Sequence, residues 1–389
     1  MSLTHKYRLT EEQKKAAHSL LSGNVSFLTG KPGTGKSHVV RFLVEALKEA
    51  KVNTVVLAPT GIAAANIGGQ TVHSFFGMRA GDEYVGNDHV SDALAPILRA
   101  VEVIIVDEAS MVRPDLLDLA HAKFLRAGVD PFEITWIFVG DMAQLKAFSK
   151  EEEPYNHAKY KGYDFRSSII GSRVVEHSLT EIHRQKDLEF LKNLDELRYG
   201  TIGGYWDKFV GNFQNEGIYL CRTRLEAQKI NKARLDANPN KLYTFDTKYS
   251  PGVSKGEFPI PETLHAKTGM QVVHLLNRYP LVNGTRGFLD IREKDGKTDL
   301  YLLVGLEEHF ISKHEFELYE YYEEKGKIQK RVSGTAVNYP LLQCDAMTIH
   351  KSQGSQFDKI FVNARNIPLD LTYVAFSRVT SPEGLTVSF

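Results

Sequence analysis

The stretch that most constrains this chain is GKPGTGKS, Gly30 to Ser37, which fits the pattern G-x-x-x-x-G-K-[ST]. Its context matters as much as the match. A β-branched, apolar run, NVSFLTG, leads in, and SHVVRFLVEALKEA, with apolar residues at helical spacing, leads out. A strand, a glycine-rich turn and a helix in that order make a phosphate cradle. Glycines let backbone N–H groups wrap phosphate oxygens, and the helix N-terminus adds a favourable dipole. Lys36 is placed to reach the β- and γ-phosphates of a nucleotide and Ser37 to hold Mg²⁺. Gly30, Pro32, Gly33, Thr34, Gly35 and the following His38 complete the expected cradle.

The rest of the first half repeats the theme. NTVVLAPT, VEVIIVDEAS and ITWIFVGD are buried-type strands that end in polar or small residues. Such runs, alternating with helix-like stretches, predict an α/β fold with a parallel sheet covered on both faces. Sites in these sheets lie at the carboxyl ends of the strands. Asp107, ending its strand, is the expected metal-side carboxylate, and Glu108 is placed to orient or deprotonate an attacking water. In VGDMAQL, Gln144 stands where it could sense a γ-phosphate. Arg184 in LTEIHRQ and Arg378 in YVAFSRV are candidate γ-phosphate fingers from beyond the P-loop half, although either alone is also read as a surface charge.

A second α/β unit is expected to begin after Leu179, with GIYLCRTR as strand and RLEAQKINKARLD as helix. Four strand-like runs between Lys267 and Val337, punctuated by NGT, KDGK and EKGK, carry hairpin signals with little helix between them. The predicted organisation is 1–179, then 180–266 with 338–389, split around a small β-rich insert at 267–337. The Glu-rich stretch from Leu306 to Glu324 is expected to face away from any nucleic-acid groove.

Charge narrows the partners. Lys+Arg and Asp+Glu balance at 48 each, so any nucleic-acid site is a local groove rather than a global field. Two cysteines, Cys221 and Cys344, make no disulfide scaffold and suggest a reducing compartment. No run of eighteen apolar residues and no leader pattern occurs, so a cytoplasmic, membrane-free setting is expected. The short chain reads as a minimal bacterial or phage-type enzyme or an excised core, working as a monomer.

The order LTEEQ, GKPGTGKS, APTGIAAANIGGQTVHSFF, VDEAS, GDMAQL, LTEIHRQ, TIHKSQGSQFD, YVAFSR resembles the superfamily 1 DNA helicases, and is most similar to their Pif-type branch, with the RecD and Dda proteins as cousins. The likeness runs from Leu9 to Phe389. It implies two RecA-like domains, an SH3-like insert in the second, and an ATP-driven 5′→3′ DNA helicase with roles in DNA repair and recombination. Its substrates would be single-stranded DNA and duplex junctions, with ATP hydrolysed between the two domains.

By the same resemblance Gln13 reads adenine, and Gln353 and Gly354 lie on the γ-phosphate and ribose side. Pro59, Thr60, Gly61, Thr71, His73 and Ser74 match strand-binding loops of the first domain. Thr348, His350 and Lys351 match those of the second. Short hydroxyls, backbone N–H groups and a lysine suit phosphate contacts without base readout. Phe75 is read either as a base-stacking ring or as a core residue behind the loop. The stretch Gly77 to Val90, within a wider 77–96 region, is read as a strand-separating wedge or a plain surface loop. MTIHKSQGSQFD would touch strand and nucleotide at once, coupling the two, unless it is only a solvated turn. The competing functions are a translocase that does not unwind strongly and a nucleotide-gated binding switch.

Overall fold

The computed structural model describes residues 7–78, 88–144, 147, 164–183, 187–212, 217–276, 278–281, 283–353, 355–365 and 367–389. The chain divides into two compact units, Met1–Arg184 with Glu317–Ser333, and Gln185–Phe316 with Gly334–Phe389.

The first unit contains α1 (Glu11–Ser22), β1 (Val25–Gly30), α2 (Lys36–Glu49), β2 (Thr54–Ala58), α3 (Gly61–Ile67), β3 (Gln70–Thr71), α4 (Val72–Phe75), α5 (Leu94–Ala100), β4 (Val103–Val106), α6 (Pro114–Arg126), β5 (Thr135–Gly140) and β6 (Val175–Leu179). Its strands form one parallel sheet in the order β3-β2-β4-β5-β1-β6. Every residue of β1 is buried, as expected of a strand covered on both faces. Phe27, Trp136, Phe138 and Phe165 pack on one face. Leu20, Leu28, Leu43, Ile105 and Ile137 pack on the other. Thr10 and Gln13 start α1 with a reciprocal capping box. Pro114 opens α6, where its missing N–H costs nothing.

The second unit begins with α7 (Leu188–Arg198), β7 (Ile218–Cys221), α8 (Arg224–Ala237), β8 (Tyr243–Asp246), β9 (Lys248–Tyr249), β10 (Thr263–Ala266) and β11 (Gln271–His274). The long antiparallel strands follow: β12 (Arg286–Lys294), β13 (Lys297–Val304), β14 (Glu307–Ile311), β15 (His314–Glu324) and β16 (Lys327–Asn338). It ends with β17 (Leu341–Gln343), β18 (Ala346–Thr348), β19 (Ile360–Asn363), α9 (Leu369–Phe376) and β20 (Leu385–Ser388). A parallel sheet runs β18-β7-β19-β20, and an antiparallel one runs β14-β13-β12-β11-β17. The KDGK and EKGK signals are tight turns. Asp295 and Gly296, and Lys325 and Gly326, all have positive φ, the geometry that matches hairpin twist.

The structure departs from the expected organisation at the insert. Residues Glu317–Ser333, the far end of the β15–β16 hairpin, belong to the first unit. Tyr321 and Ile328 pack against the first unit's larger core cluster. The Tyr321 hydroxyl bonds the backbone N–H of Val56 (3.0 Å), and the side chain of Asn53 bonds Gly326 O (3.0 Å) and Ile328 N (3.2 Å). β3 covers β2 only at Leu57 and Ala58, so the hairpin caps the remainder of that sheet edge. The second half of the 306–324 stretch is thus packed on the first unit through Tyr321, whereas its first half lies in the second unit.

Both cysteines are buried, and desolvation pushes the Cys221 thiol up to about 12, as for a small hydrophobe. Among the described residues no helix is long and apolar enough to cross a membrane.

Candidate functional site

Strand order builds the first half of the site. β4, β5 and β1 are consecutive, so the turns after Val106, Gly140 and Gly30 are neighbours, with the Gln144 loop in the middle. The fit is tight. A Cβ at Gly140 would stand 3.2 Å from Ala109 N.

In the P-loop, Gly33 and Gly35 hold φ of 86° and 87°, the left-handed region that glycine enters without strain. A Cβ on Gly35 would lie 2.3 Å from Gln13 Nε2. The α2 N-terminus has no side-chain cap, and a helix start of that kind is a setting for an anion. The Lys36 ammonium donates to Gly30 O (2.6 Å) and Lys31 O (3.3 Å), which folds it over the loop it serves. Ser37 is exposed at the first turn and Pro32 is half-buried. Thr34 is buried and its hydroxyl donates to Lys31 O (2.9 Å), so its contribution to a cradle is through the backbone. The His38 ring engages Tyr7 O and packs on the Tyr7 ring.

Gln13 is buried. Its Oε1 accepts from Thr10 N (3.1 Å) and its Nε2 donates to Thr34 O (3.2 Å), so here it braces the P-loop. Two residues that sequence reasoning missed complete this brace. Glu12 accepts from Thr180 N (2.8 Å), the Thr180 hydroxyl (2.7 Å) and Glu181 N (3.2 Å). His183 N donates to Gly33 O (2.9 Å). The LTEIHRQ segment is thereby tied to α1 and to the P-loop. Periodicity could not single out Glu12, because its partners lie 168 and 169 residues away. Arg184 and Gly354 lie outside the described residues.

The Asp107–Glu108 turn carries the electrostatics. Asp107 Oδ1 accepts from Glu108 N (2.9 Å). Desolvation first, and the Glu108 charge second, push the Asp107 carboxyl up to about 7, while Lys36 and Arg41 pull the other way. The pull of Lys36 agrees with the strand order, which sets the two motifs at the same end of one sheet. Glu108 itself has φ 51° and ψ 44°, a left-handed conformation uncommon for a residue with a Cβ. Gln144 is buried, and its Nε2 donates to Asp141 Oδ2 (3.4 Å).

The strand-binding candidates of the first unit fall at the ends of β2 and β3. Pro59, Gly61 and His73 are half-buried and Thr60 and Ser74 exposed. The Thr60 and Thr71 hydroxyls accept from Ala63 N and Ser74 N (both 3.2 Å), fixing the loop backbones. Phe75 is corrected. Its ring is 5 % exposed and packs edge-on against Phe76 and Tyr321, so it is a core residue with no face for a base. Of the wedge candidate, 79–87 lie outside the described residues, and its far flank is held by an Asp88–Arg126 pair (2.8 Å).

In the second unit, β18 delivers Thr348 opposite Cys221. The chain then turns, with Ser352 N on Thr348 O (3.1 Å) and Gln353 N on His350 O (3.3 Å). Thr348 is corrected. It is buried and its hydroxyl accepts from Lys351 N (3.2 Å), so its side chain shapes the turn instead of meeting a phosphate. His350 and Lys351 are exposed, and Gln353 half-buried, on the same turn. Loss of surrounding water and the charge of Arg224 lower the pKa of both His350 and Lys351. Arg224, the first residue of α8, is a third cation that the motifs did not reveal. Arg378 is buried and donates to Val374 O (2.9 Å) and the Ser377 hydroxyl (2.8 Å).

Comparison with known proteins identifies the arrangement. A family model described as an AAA domain matches residues 8–217. ATP-dependent DNA helicase Pif1 of Bdellovibrio bacteriovorus is 30% identical over 415 residues, covering 98% of this chain and 88% of the relative. ATP-dependent DNA helicase PIF1 of Homo sapiens is also 30% identical, but the chain spans only 61% of its length. Among solved structures, Bacteroides sp Pif1 in complex with ADP-AlF4 matches with a TM-score of 0.86 at 28% identity, covering 98% of this chain and 92% of that one. The two parallel sheets are accordingly RecA-like domains, and the antiparallel sheet is the β insert of the second.

Proposed function

The chain belongs to the Pif1-type ATP-dependent DNA helicases, and from that premise we propose that it moves 5′→3′ along single-stranded DNA and opens duplex junctions at the expense of ATP. The observation that carries the chemistry is that the P-loop and the Asp107–Glu108 turn follow β1 and β4 of one parallel sheet, with β5 between them. Lys36 stabilises negative charge that grows on the transferred phosphoryl group. Glu108 orients and deprotonates the attacking water. Gln144, in the loop between, reports the γ-phosphate.

Mg²⁺ fits the donor set. The Asp107 carboxyl is desolvated beside a second carboxylate, a charge that a divalent cation compensates, and Ser37 is open at the helix start. When bound, Mg²⁺ would draw charge from the β- and γ-phosphate oxygens. Asp107 and Ser37 would hold it. Arg184 and Arg378 are assigned to the γ-phosphate in the transition state. For Arg378 this requires exchange of its bonds to Val374 and Ser377.

DNA is held by phosphate contacts from Thr60, His73, Ser74, His350 and Lys351, with Arg224 adding charge. A crystal structure of Bacteroides Pif1 is bound to ssDNA, which supports this partner. A single chain is the proposed working unit, in a reducing, cytoplasmic setting that suits two buried thiols.

The test is ATPase rate with and without single-stranded DNA, then unwinding of duplexes tailed at either end. Steep stimulation and opening only of 5′-tailed duplexes are expected. Stimulation without unwinding identifies a translocase, and no stimulation a nucleotide-gated switch.

A further inference from the structure

We propose that Gln70 and the β15–β16 hairpin form a brace that orients the Ser74 hydroxyl toward the DNA strand. The inference rests on the reading that Ser74 contacts a phosphate. Gln70 is 8 % exposed and joins the two elements. Its Oε1 accepts from Tyr321 N (3.3 Å) and its Nε2 donates to Ser74 Oγ (2.9 Å). A serine hydroxyl has one proton to give and lone pairs to receive. With an acceptor site of Ser74 Oγ filled by Gln70, the hydroxyl proton is left to point outward. Ser74 is exposed, so that proton meets solvent or a phosphate oxygen. Ser74 N is already engaged with the Thr71 hydroxyl (3.2 Å), which fixes the backbone beneath it.

The hairpin makes the brace rigid. Tyr321 is held at both ends: its hydroxyl on Val56 N (3.0 Å) and its backbone N–H on Gln70. Its ring meets Phe75, the neighbour of Ser74, with centroids 6.0 Å apart. Gln70 and Tyr321 are thus positioning residues for DNA binding, and neither needs to touch DNA.

The test uses the full chain and fluorescence anisotropy on a labelled single-stranded oligonucleotide. Ser74→Ala should weaken binding about tenfold, the loss of a hydrogen bond to a charged group. Gln70→Met, which keeps shape without polar atoms, should weaken it by a similar factor and leave DNA-free ATPase unchanged. The double variant should bind no worse than Ser74→Ala, because the two act through one hydroxyl. The slope of affinity against salt should not change, since no cation is lost. Tyr321→Phe keeps the backbone bond to Gln70 and should cost only about two- to threefold.

If Ser74→Ala weakens binding and Gln70→Met does not, the brace is refuted while the Ser74 contact stands. Multiplying effects in the double variant, or a parallel fall in DNA-free ATPase with Gln70→Met, also refute it. Wild-type binding by Ser74→Ala removes the strand contact and the brace together.

Discussion

Replacing Glu108 with glycine should stabilise the nucleotide-free protein while destroying its activity. Glu108 sits at φ 51° and ψ 44°. The left-handed region costs a residue with a Cβ about 1–2 kcal/mol. Glycine escapes that cost but adds freedom to the unfolded chain, a penalty of about 0.4–1 kcal/mol. The net gain is about 1 kcal/mol. For a unit of this size it raises the midpoint by about 2–4 °C. Electrostatics act in the same direction, because the Glu108 charge is the second cause of the raised Asp107 pKa.

The sign with pH follows. The native Asp107 carboxyl keeps its proton up to about 7, whereas its ordinary value is 3.8. Between those values the native state binds more protons than the unfolded one, so this contribution to stability falls as pH rises and is fully lost above about 7. Removing the Glu108 charge should narrow that window. Glu108→Gln separates the effects, since it drops the charge and keeps the backbone strain. Calorimetry at pH 7.5 without nucleotide should rank the first transition Glu108→Gly, then Glu108→Gln, then wild type. Both variants should lose about 10²–10⁴ in ATPase rate. A glycine variant that melts below the glutamine variant would show that the left-handed turn carries no strain. Near-normal ATPase in either would remove Glu108 from the chemistry.

Lys36→Ala should lower DNA-stimulated phosphate release by about 10²–10³ through loss of one charge-stabilising donor. Gln353→Ala should bind single-stranded DNA normally, yet show little stimulation of ATPase at saturating DNA, whereas Lys351→Ala should bind DNA weakly with ATP affinity kept; titrating ATPase rate against DNA separates them. DNA affinity should rise as pH falls from 7.5 to 6: His350 has a lowered pKa in the free protein, a phosphate raises it, and binding therefore takes up a proton. Anisotropy across that range should show the slope, and His350→Gln should flatten it.

The first sheet was legible because β1, β2, β4 and β5 are buried on both faces and read as continuous apolar runs, and because GKPGTGKS has a strand before it and a helix after. The order β4-β5-β1 was not written in any one segment, yet it is what sets Gln144 between the other two motifs. Thr348 shows a sharper limit. A threonine in a strand-binding motif suggests a phosphate contact, but whether its hydroxyl faces solvent or the turn depends on the parity of β18 against β7. Phe75 lies in a four-residue helix, too short for periodicity to say which of two adjacent phenylalanines points inward. Both do.

The hairpin was misplaced for a different reason. FELYEYYEE puts glutamates and aromatics on both faces of a strand, so the sequence does not say which face is covered or by what. Its covering lies 273 residues away in sequence, at Asn53. That asparagine was the available signal. It is 9 % exposed, its amide donates to Ala100 O (2.9 Å) and Gly326 O (3.0 Å), and its Oδ1 accepts from Ile328 N (3.2 Å). A buried amide must find its partners, and leaving one unmade costs about 1–3 kcal/mol. Val56 N depends on Tyr321 in the same way. Excising 267–337 as an autonomous insert would therefore leave the Asn53 side chain with only its bond to Ala100 and uncover the edge of β2. The first unit is complete only with a hairpin that the chain supplies from within the second.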